Sequence, residues 1–242
     1  MSFENRLPLE DRREAGRLLA AELAFLHGQP DVQVLALPRG GVPVAFEITK
    51  ALDLPLDVFI VRKIGMPGHP EFAAGAIATG DVQVLDFTPQ DADQRMQLQE
   101  VIRQETCELA RREHVYRGER ALPHLRDRIV VLVDDGLATG ATMEAAARAI
   151  RRQQPRTLIA AVPVASGSAT RRLAPWFDQL VVGAVPEPFH AVSPWYQHFP
   201  QCEDEEVRAL LDASGEGHRV TSQLMAPATH PPGSFKNQRR RS

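Results

Sequence analysis

The sequence predicts an α/β domain: an open, mostly parallel sheet with helices on both faces. Three observations carry this. Short β-branched runs alternate with amphipathic stretches at helical spacing, as strands joined by crossover helices require. One run, Ile129 to Val133, is apolar throughout, as expected of a central strand covered on both faces. The length of 242 residues, 43% hydrophobic and 24% charged, suits one large domain or one domain with an appendage. The same composition excludes a wholly disordered, collagen-like or coiled-coil chain.

The elements follow in order. Ala15, Leu18, Leu19, Leu23 and Leu26 recur at helical spacing and predict a helix from about Asp11 to Leu26. Val32 to Leu37 reads as a strand ended by Pro38-Arg39-Gly40-Gly41, and a short helix follows with Val44, Ala45, Ile48 and Leu52 inward. Leu56 to Val61 is a second strand. From Lys63 to about Gly80, repeated Gly and Pro predict a long loop, and long loops inside compact domains are usually functional or mobile. Val82 to Leu85 fits a short strand, and Pro89 to Tyr116 a long, heavily charged helix. After the central strand come a helix over Thr142 to Gln153, a strand over Leu158 to Val164, a helix around Thr170 to Phe177 and a last strand over Leu180 to Val185. A segment rich in Pro and aromatics leads to a short helix from about Asp204 to Leu211. From Ala213 onward, Ser, Gly, Pro and Thr predict a disordered tail.

The formal net charge of −3 argues against a dedicated nucleic-acid binder. The charge is uneven: the tail carries Arg219, Lys236, Arg239, Arg240 and Arg241 against Glu216, a net of +4 that leaves −7 on the body. Cys107 and Cys202 form no disulfide framework or zinc pattern, which fits a reduced, cytoplasmic setting. The N-terminal segment has acids and no apolar run, so it does not read as a signal peptide. No stretch approaches the ~20 apolar residues of a membrane span.

The most informative stretch runs from Ile129 to Thr142: a buried strand, the acids Asp134 and Asp135, then Gly136-Leu137-Ala138-Thr139-Gly140-Ala141-Thr142 opening a helix. In open α/β sheets ligands bind beyond the carboxyl ends of the strands. A Gly/Thr turn at a helix start offers N–H groups and a positive helix end to phosphate, with Thr139 and Thr142 adding hydroxyls. No lysine follows Gly140, so this is not a Walker loop, and it is not a GxGxxG loop. Two acids beside a phosphate make sense if they face ribose hydroxyls or Mg²⁺.

Four hydrophobics, two acids and Thr-Gly-x-Thr resemble the phosphoribosyl pyrophosphate (PRPP) motif of the type I phosphoribosyltransferases. The resemblance covers about Phe3 to Leu211, and the chain is most similar to a bacterial group of predicted phosphoribosyltransferases whose acceptor is unassigned. It implies the type I fold, with an open parallel sheet and a small hood. It implies that Ala138, Thr139, Gly140, Ala141 and Thr142 hold the 5-phosphate. Asp134 and Asp135 would hold the ribose diol and approach Mg²⁺ indirectly, through ribose or water. Arg39, Gly40 and Gly41 occupy the place of the pyrophosphate loop, where a peptide bond is often strained or cis. Val61-Arg62-Lys63-Ile64-Gly65-Met66-Pro67 resembles a stretch of the adenine-type members, which brings Arg62 and Lys63 to the pyrophosphate. The loop after them, with Glu71, would close over the site. Taken singly, Arg62 and Lys63 read equally well as a solvated basic pair.

In this fold the acceptor lies under a hood built from the chain ends, here mainly residues 185–202 with a contribution from the N-terminal segment. Phe189 is the candidate for stacking on a flat heteroaromatic base. Trp195, Tyr196 and Phe199, each taken singly, read as the hood's own core. Glu187 could orient a base, while His190 and His198 read as surface residues. The implied reaction transfers 5-phosphoribose from Mg·PRPP to a nitrogen nucleophile, with a nucleobase as the expected acceptor and pyrophosphate as product; Asp135 is the nearest candidate for a base. Relatives of this kind are commonly homodimers. The expected organisation is a phosphoribosyltransferase domain over residues 1–212, with a mobile loop at about 63–80, and a disordered basic tail over 213–242. The alternatives are a non-catalytic PRPP or nucleotide sensor on the same fold and another nucleotide-binding enzyme, the latter opposed by the missing Walker lysine.

Overall fold

The computed structural model describes residues 3–118 and 120–224. Five strands form a parallel sheet: β1 (Val32–Ala36), β2 (Leu56–Val58), β6 (Ile129–Val133), β7 (Thr157–Val164) and β8 (Gln179–Ala184), in the order β2-β1-β6-β7-β8. All four pairings are parallel, with Ala36 opposite Val133 and Val133 opposite Ala161 at the carboxyl ends.

The apolar strands divide their side chains between two cores. Val32, Val34, Val131, Val133, Ile159 and Ala161 join a cluster with α1 (Arg12–Glu22), α2 (Gly41–Leu52) and α6 (Asp204–Leu224). Leu35, Val130, Leu132, Leu158, Ala160 and Val162 face α4 (Ala141–Arg152) and α5 (Gly167–Leu173). Val130 to Val133 are all buried and Ile129 is half-buried, which explains the unbroken apolar run. The order also fixes a switch point. From β1 the chain moves out to β2, then returns to β6 and builds β7 and β8 on the other side. Ligands of open α/β sheets bind at the crevice this reversal leaves, here between the carboxyl ends of β1 and β6.

The expected loop at 63–80 is corrected. Its residues form β3 (Val61–Met66) and β4 (His69–Ala78), which pair antiparallel with each other, and β4 pairs with β5 (Val82–Leu85). The breakers are the punctuation of this second sheet. Gly68, at φ +77°, makes the tight turn between β3 and β4. Gly75 lies inside β4 because a Cβ there would come within 2.2 Å of the Val84 carbonyl oxygen on β5. Ile64, Ala74, Ala76 and Ile77 of the hairpin are buried. The single strand expected over Leu56 to Val61 is likewise two strands in two sheets, with Phe59 and Ile60 buried at the corner between them. Across that corner the Thr79 hydroxyl accepts from the Ile60 N–H at 2.9 Å.

Two helices differ from expectation. α5 begins at Gly167, ahead of Thr170, because the Ser166 hydroxyl caps it by accepting from the Ala169 N–H at 3.0 Å. α6 continues past Leu211 to Leu224, so a disordered tail does not describe residues 213–224. No proline interrupts that segment before Pro227, and the isolated glycines weaken the helix without ending it. The rest of the expected tail, 225–242, lies outside the described residues. The 26-residue α3 (Ala92–Arg117) is capped by Asp91 and buries Leu98, Leu109 and Tyr116. Both cysteines are free thiols. Among the described residues no helix is long and apolar enough to cross a membrane.

Candidate active site

The turn after β1 and the turn after β6 meet at the switch point. The Leu37 N–H donates to the Val133 carbonyl at 2.9 Å, which ties the two strand ends together. Pro38-Arg39 is a cis peptide bond, and the Gly41 N–H returns to the Leu37 carbonyl at 3.1 Å to start α2. Gly40 then lies directly against the acid pair: a Cβ there would be 1.9 Å from Asp135 Oδ2. A Cβ on Gly41 would meet the Val133 carbonyl oxygen at 2.7 Å. Two glycines are therefore demanded by close approach, since Gly40 has ordinary helical dihedrals.

Asp134 and Asp135 are part-buried, and the Asp135 N–H donates to Asp134 Oδ1 at 2.9 Å. Burial, followed by the charge of Asp135, pushes the Asp134 carboxyl well above the ordinary range. Burial also raises Asp135, opposed by the Arg12 guanidinium, whose Nε donates to Asp135 Oδ2 at 2.8 Å. The next turn is pinned from below. The Leu137 N–H donates to the Val164 carbonyl at 3.0 Å, and the Ser166 hydroxyl donates to the Ala138 carbonyl at 2.6 Å. Gly140, at φ +71°, takes the left-handed conformation at the N-cap of α4. Ala138, Thr139 and Thr142 remain exposed around the first turn, whose N–H groups point out of the helix end.

The hood closes one side. The Leu9 N–H donates to the Trp195 carbonyl at 2.9 Å, and Gln197 returns a bond to the Leu9 carbonyl at 2.7 Å, so the N-terminal segment and 185–202 form one layer. The Tyr196 hydroxyl donates to the Asp135 carbonyl at 2.6 Å, and its burial raises its pKa. A Cβ on Gly136 would meet Val192 Cγ1 at 2.6 Å. Phe189 is half-buried and packs against Trp195, with centroids 6.0 Å apart. Glu187, His190 and His198 are exposed.

The basic residues divide. Arg39 Nη1 lies 3.6 Å from Glu203 and 3.8 Å from Asp204, at the start of α6. Arg62 Nε is bonded to Glu105 of α3 at 2.7 Å. Lys63 lines a cavity of about 590 Å³ beside Ala141, between the second sheet, α3 and the start of α4. That cavity adjoins the phosphate-type turn and does not contain the acid pair. The structure thus joins Gly40, Gly41, Asp134 and Asp135 directly and holds Arg62 on α3. Arg12 was not singled out by the sequence; its one signal was a cation in a helix's first turn, where the dipole disfavours it.

Removing the raised carboxyl gives an expected outcome. A pKa raised by folding contributes stability below the ordinary carboxylate range and loses it as pH rises through the raised value. Asp134→Asn keeps the acceptor for the Asp135 N–H and removes that loss. The ligand-free variant is expected to melt with the wild type at acid pH and a few degrees above it at neutral pH, at about 2–4 °C per kcal/mol. Thermal melts across that range test this; a gap that does not grow with pH counts against it.

Comparison with known proteins follows the same ground. Residues 9–182 match the phosphoribosyl transferase domain family. A Mycobacterium tuberculosis protein named provisionally as a phosphoribosyl transferase is 42% identical over 232 residues, covering 92% of this chain and 50% of that protein. The chain thus spans about half the length of this curated relative. The crystal structure of TT1426 from Thermus thermophilus is 44% identical, covers 84% of this chain and 96% of that one, and superposes with a TM-score of 0.74. A ribose-phosphate pyrophosphokinase from Methanopyrus kandleri is 49% identical over 70 residues, 27% of this chain and 24% of that protein.

Proposed function

Because this chain belongs to the phosphoribosyl transferase family, we propose that it transfers a 5-phosphoribosyl group from Mg·PRPP to a nitrogen of a nucleobase, releasing pyrophosphate. One observation carries the reading: the Gly40-Gly41 turn and the Asp134-Asp135 pair abut at the switch point, beside an open helix start. Diol acceptors, a phosphate cup and a close-approach turn lie together there, as a phosphorylated and pyrophosphorylated ribose needs.

In this reading Ala138 to Thr142 bind the 5-phosphate through backbone N–H groups and the Thr139 and Thr142 hydroxyls. Asp134 and Asp135 accept from the ribose hydroxyls. The Arg39–Gly41 turn binds pyrophosphate, and Lys63, which lines the neighbouring cavity, is the basic residue that follows it. Arg62 is held by Glu105, so Lys63 is the basic residue we assign to that role. Among the described residues no group of three or more His, Cys, Asp or Glu could hold a metal. A pair of carboxylates suits Mg²⁺, which is commonly held by one or two carboxylates, water and substrate phosphates. When bound, it neutralises charge on the pyrophosphate oxygens, with Asp134 and Asp135 engaged through ribose or water. The C1–O bond breaks with its electron pair leaving on pyrophosphate, through an oxocarbenium-like transition state. The nitrogen lone pair then bonds to C1, and Asp135 is the nearest carboxylate to take the nitrogen's proton. The protein's part is positioning, field and exclusion of water. Phe189 and the hood face the acceptor side, residues 1–212 constitute the working unit, and the setting is cytoplasmic.

Pyrophosphate release with Mg·PRPP, measured against purine, pyrimidine and pyridine bases and small amines, tests the proposal. Release with a heteroaromatic base is expected. Measurable PRPP binding with no release across the panel favours a sensor on the same fold, and absence of PRPP binding overturns the reading.

A further inference from the structure

Arg12 occupies a position that ordinary helix preferences oppose. It is the first residue of α1, directly after the Asp11 N-cap, where the dipole favours anions. Its guanidinium turns off the helix into the site. Nε donates to Asp135 Oδ2 at 2.8 Å, Nη1 donates to the Pro200 carbonyl at 2.7 Å, and Cζ lies 3.7 Å from the centroid of the Phe199 ring. Phe199 in turn stacks on Tyr196 at 4.8 Å, and Tyr196 bonds the Asp135 carbonyl. The side chains of Arg12 and Asp135 are only 12% and 15% exposed, so this is not the screened surface pair that contributes little. Gly40 closes on the same carboxylate oxygen.

We propose that Arg12 is a positioning residue for phosphoribosyl transfer: it holds Asp135 Oδ2 under Gly40 and locks the hood to the acid pair, leaving Oδ1 for the ribose diol. The inference rests on the phosphoribosyl-transfer reading. One planar group makes three contacts at once, to the turn after β6 and to two neighbouring hood residues, and a point charge cannot do this. Lysine keeps the attraction to Asp135 and loses the simultaneous bond to Pro200 and the flat contact with Phe199. Because Arg12 acts through Asp135, its contribution to ligand binding disappears when Asp135 cannot use it.

The test is calorimetric titration of Mg·PRPP into folded wild type, Arg12→Gln, Arg12→Lys, Asp135→Asn and the Arg12→Gln/Asp135→Asn double variant. Arg12→Gln is expected to weaken binding about tenfold, Arg12→Lys to recover part of that, and the double variant to bind within twofold of Asp135→Asn. Wild-type affinity in Arg12→Gln overturns the inference. So does a full tenfold loss on top of Asp135→Asn, which would make Arg12 a direct ligand contact. Circular dichroism separates misfolding from lost binding, and the Lys variant keeps the comparison usable if the Gln variant is unstable. A wild type that binds no Mg·PRPP overturns the functional reading and this inference with it, and the wild type alone shows that.

Discussion

The Asp134→Asn/Asp135→Asn double variant is expected to lose Mg·PRPP binding, and with it turnover, by roughly 10²–10⁴-fold. Hydrogen bonds to charged groups contribute about 1.5–3 kcal/mol each, and the variant turns two anionic acceptors into neutral amides. At Asp134 the loss falls on ligand binding more than on folding, whereas Asp135→Asn also weakens the part-buried bond from Arg12, so binding is compared on folded protein. The Asp135 N–H keeps an acceptor at position 134, and burial already disfavours the charge on both groups. A protein that stays folded, melts no lower through Asp134, and fails to bind is the signature of a site that trades stability for function. Titration calorimetry and pyrophosphate release measure the loss; retention of full turnover would remove both residues from the site.

The second large effect is expected from Gly40→Ala. The backbone there is helical, at φ −61° and ψ −29°, so alanine meets no conformational penalty. The cost is spatial: the new methyl would lie 1.9 Å from Asp135 Oδ2 and 2.5 Å from its Cγ. Real Cβ atoms do not come that close, so the carboxylate must rotate away or the turn must lift. The first breaks the Arg12 bond, and the second separates the Arg39–Gly41 turn from the acid pair. Overpacking of this kind costs about 1–3 kcal/mol, and PRPP affinity is expected to fall by about 10²-fold. Calorimetry on the folded variant checks it; binding within twofold of wild type would show that the two turns need not touch.

The contrast between Gly40 and Asp135 shows how legibility divided along this chain. The acid pair, the Thr-Gly turn and the strand before them are contiguous, so their types and spacing expose the chemistry locally. That Gly40 closes on Asp135 depends on β1 pairing with β6, a contact between segments far apart in the chain. The hairpin at β3 and β4 failed for a related reason. Gly65, Pro67, Gly68 and Gly75 count as breakers one by one, yet Gly75 is required by the neighbouring β5 carbonyl, which no local pattern reveals.

The sequence by itself determined the α/β class, the central buried strand, the Thr-Gly turn that opens a helix and the two acids at the strand end, because each rests on hydrophobic period or on residue types within a few positions. Tertiary structure alone decided that two turns share one crevice, that Arg62 is held by Glu105 while Lys63 reaches a cavity, and that Arg12 clamps Asp135. These depend on strand order and on which neighbour a charged side chain meets. Coulombic and hydrogen-bonding partners are chosen by distance in space, and distance along the chain does not encode it.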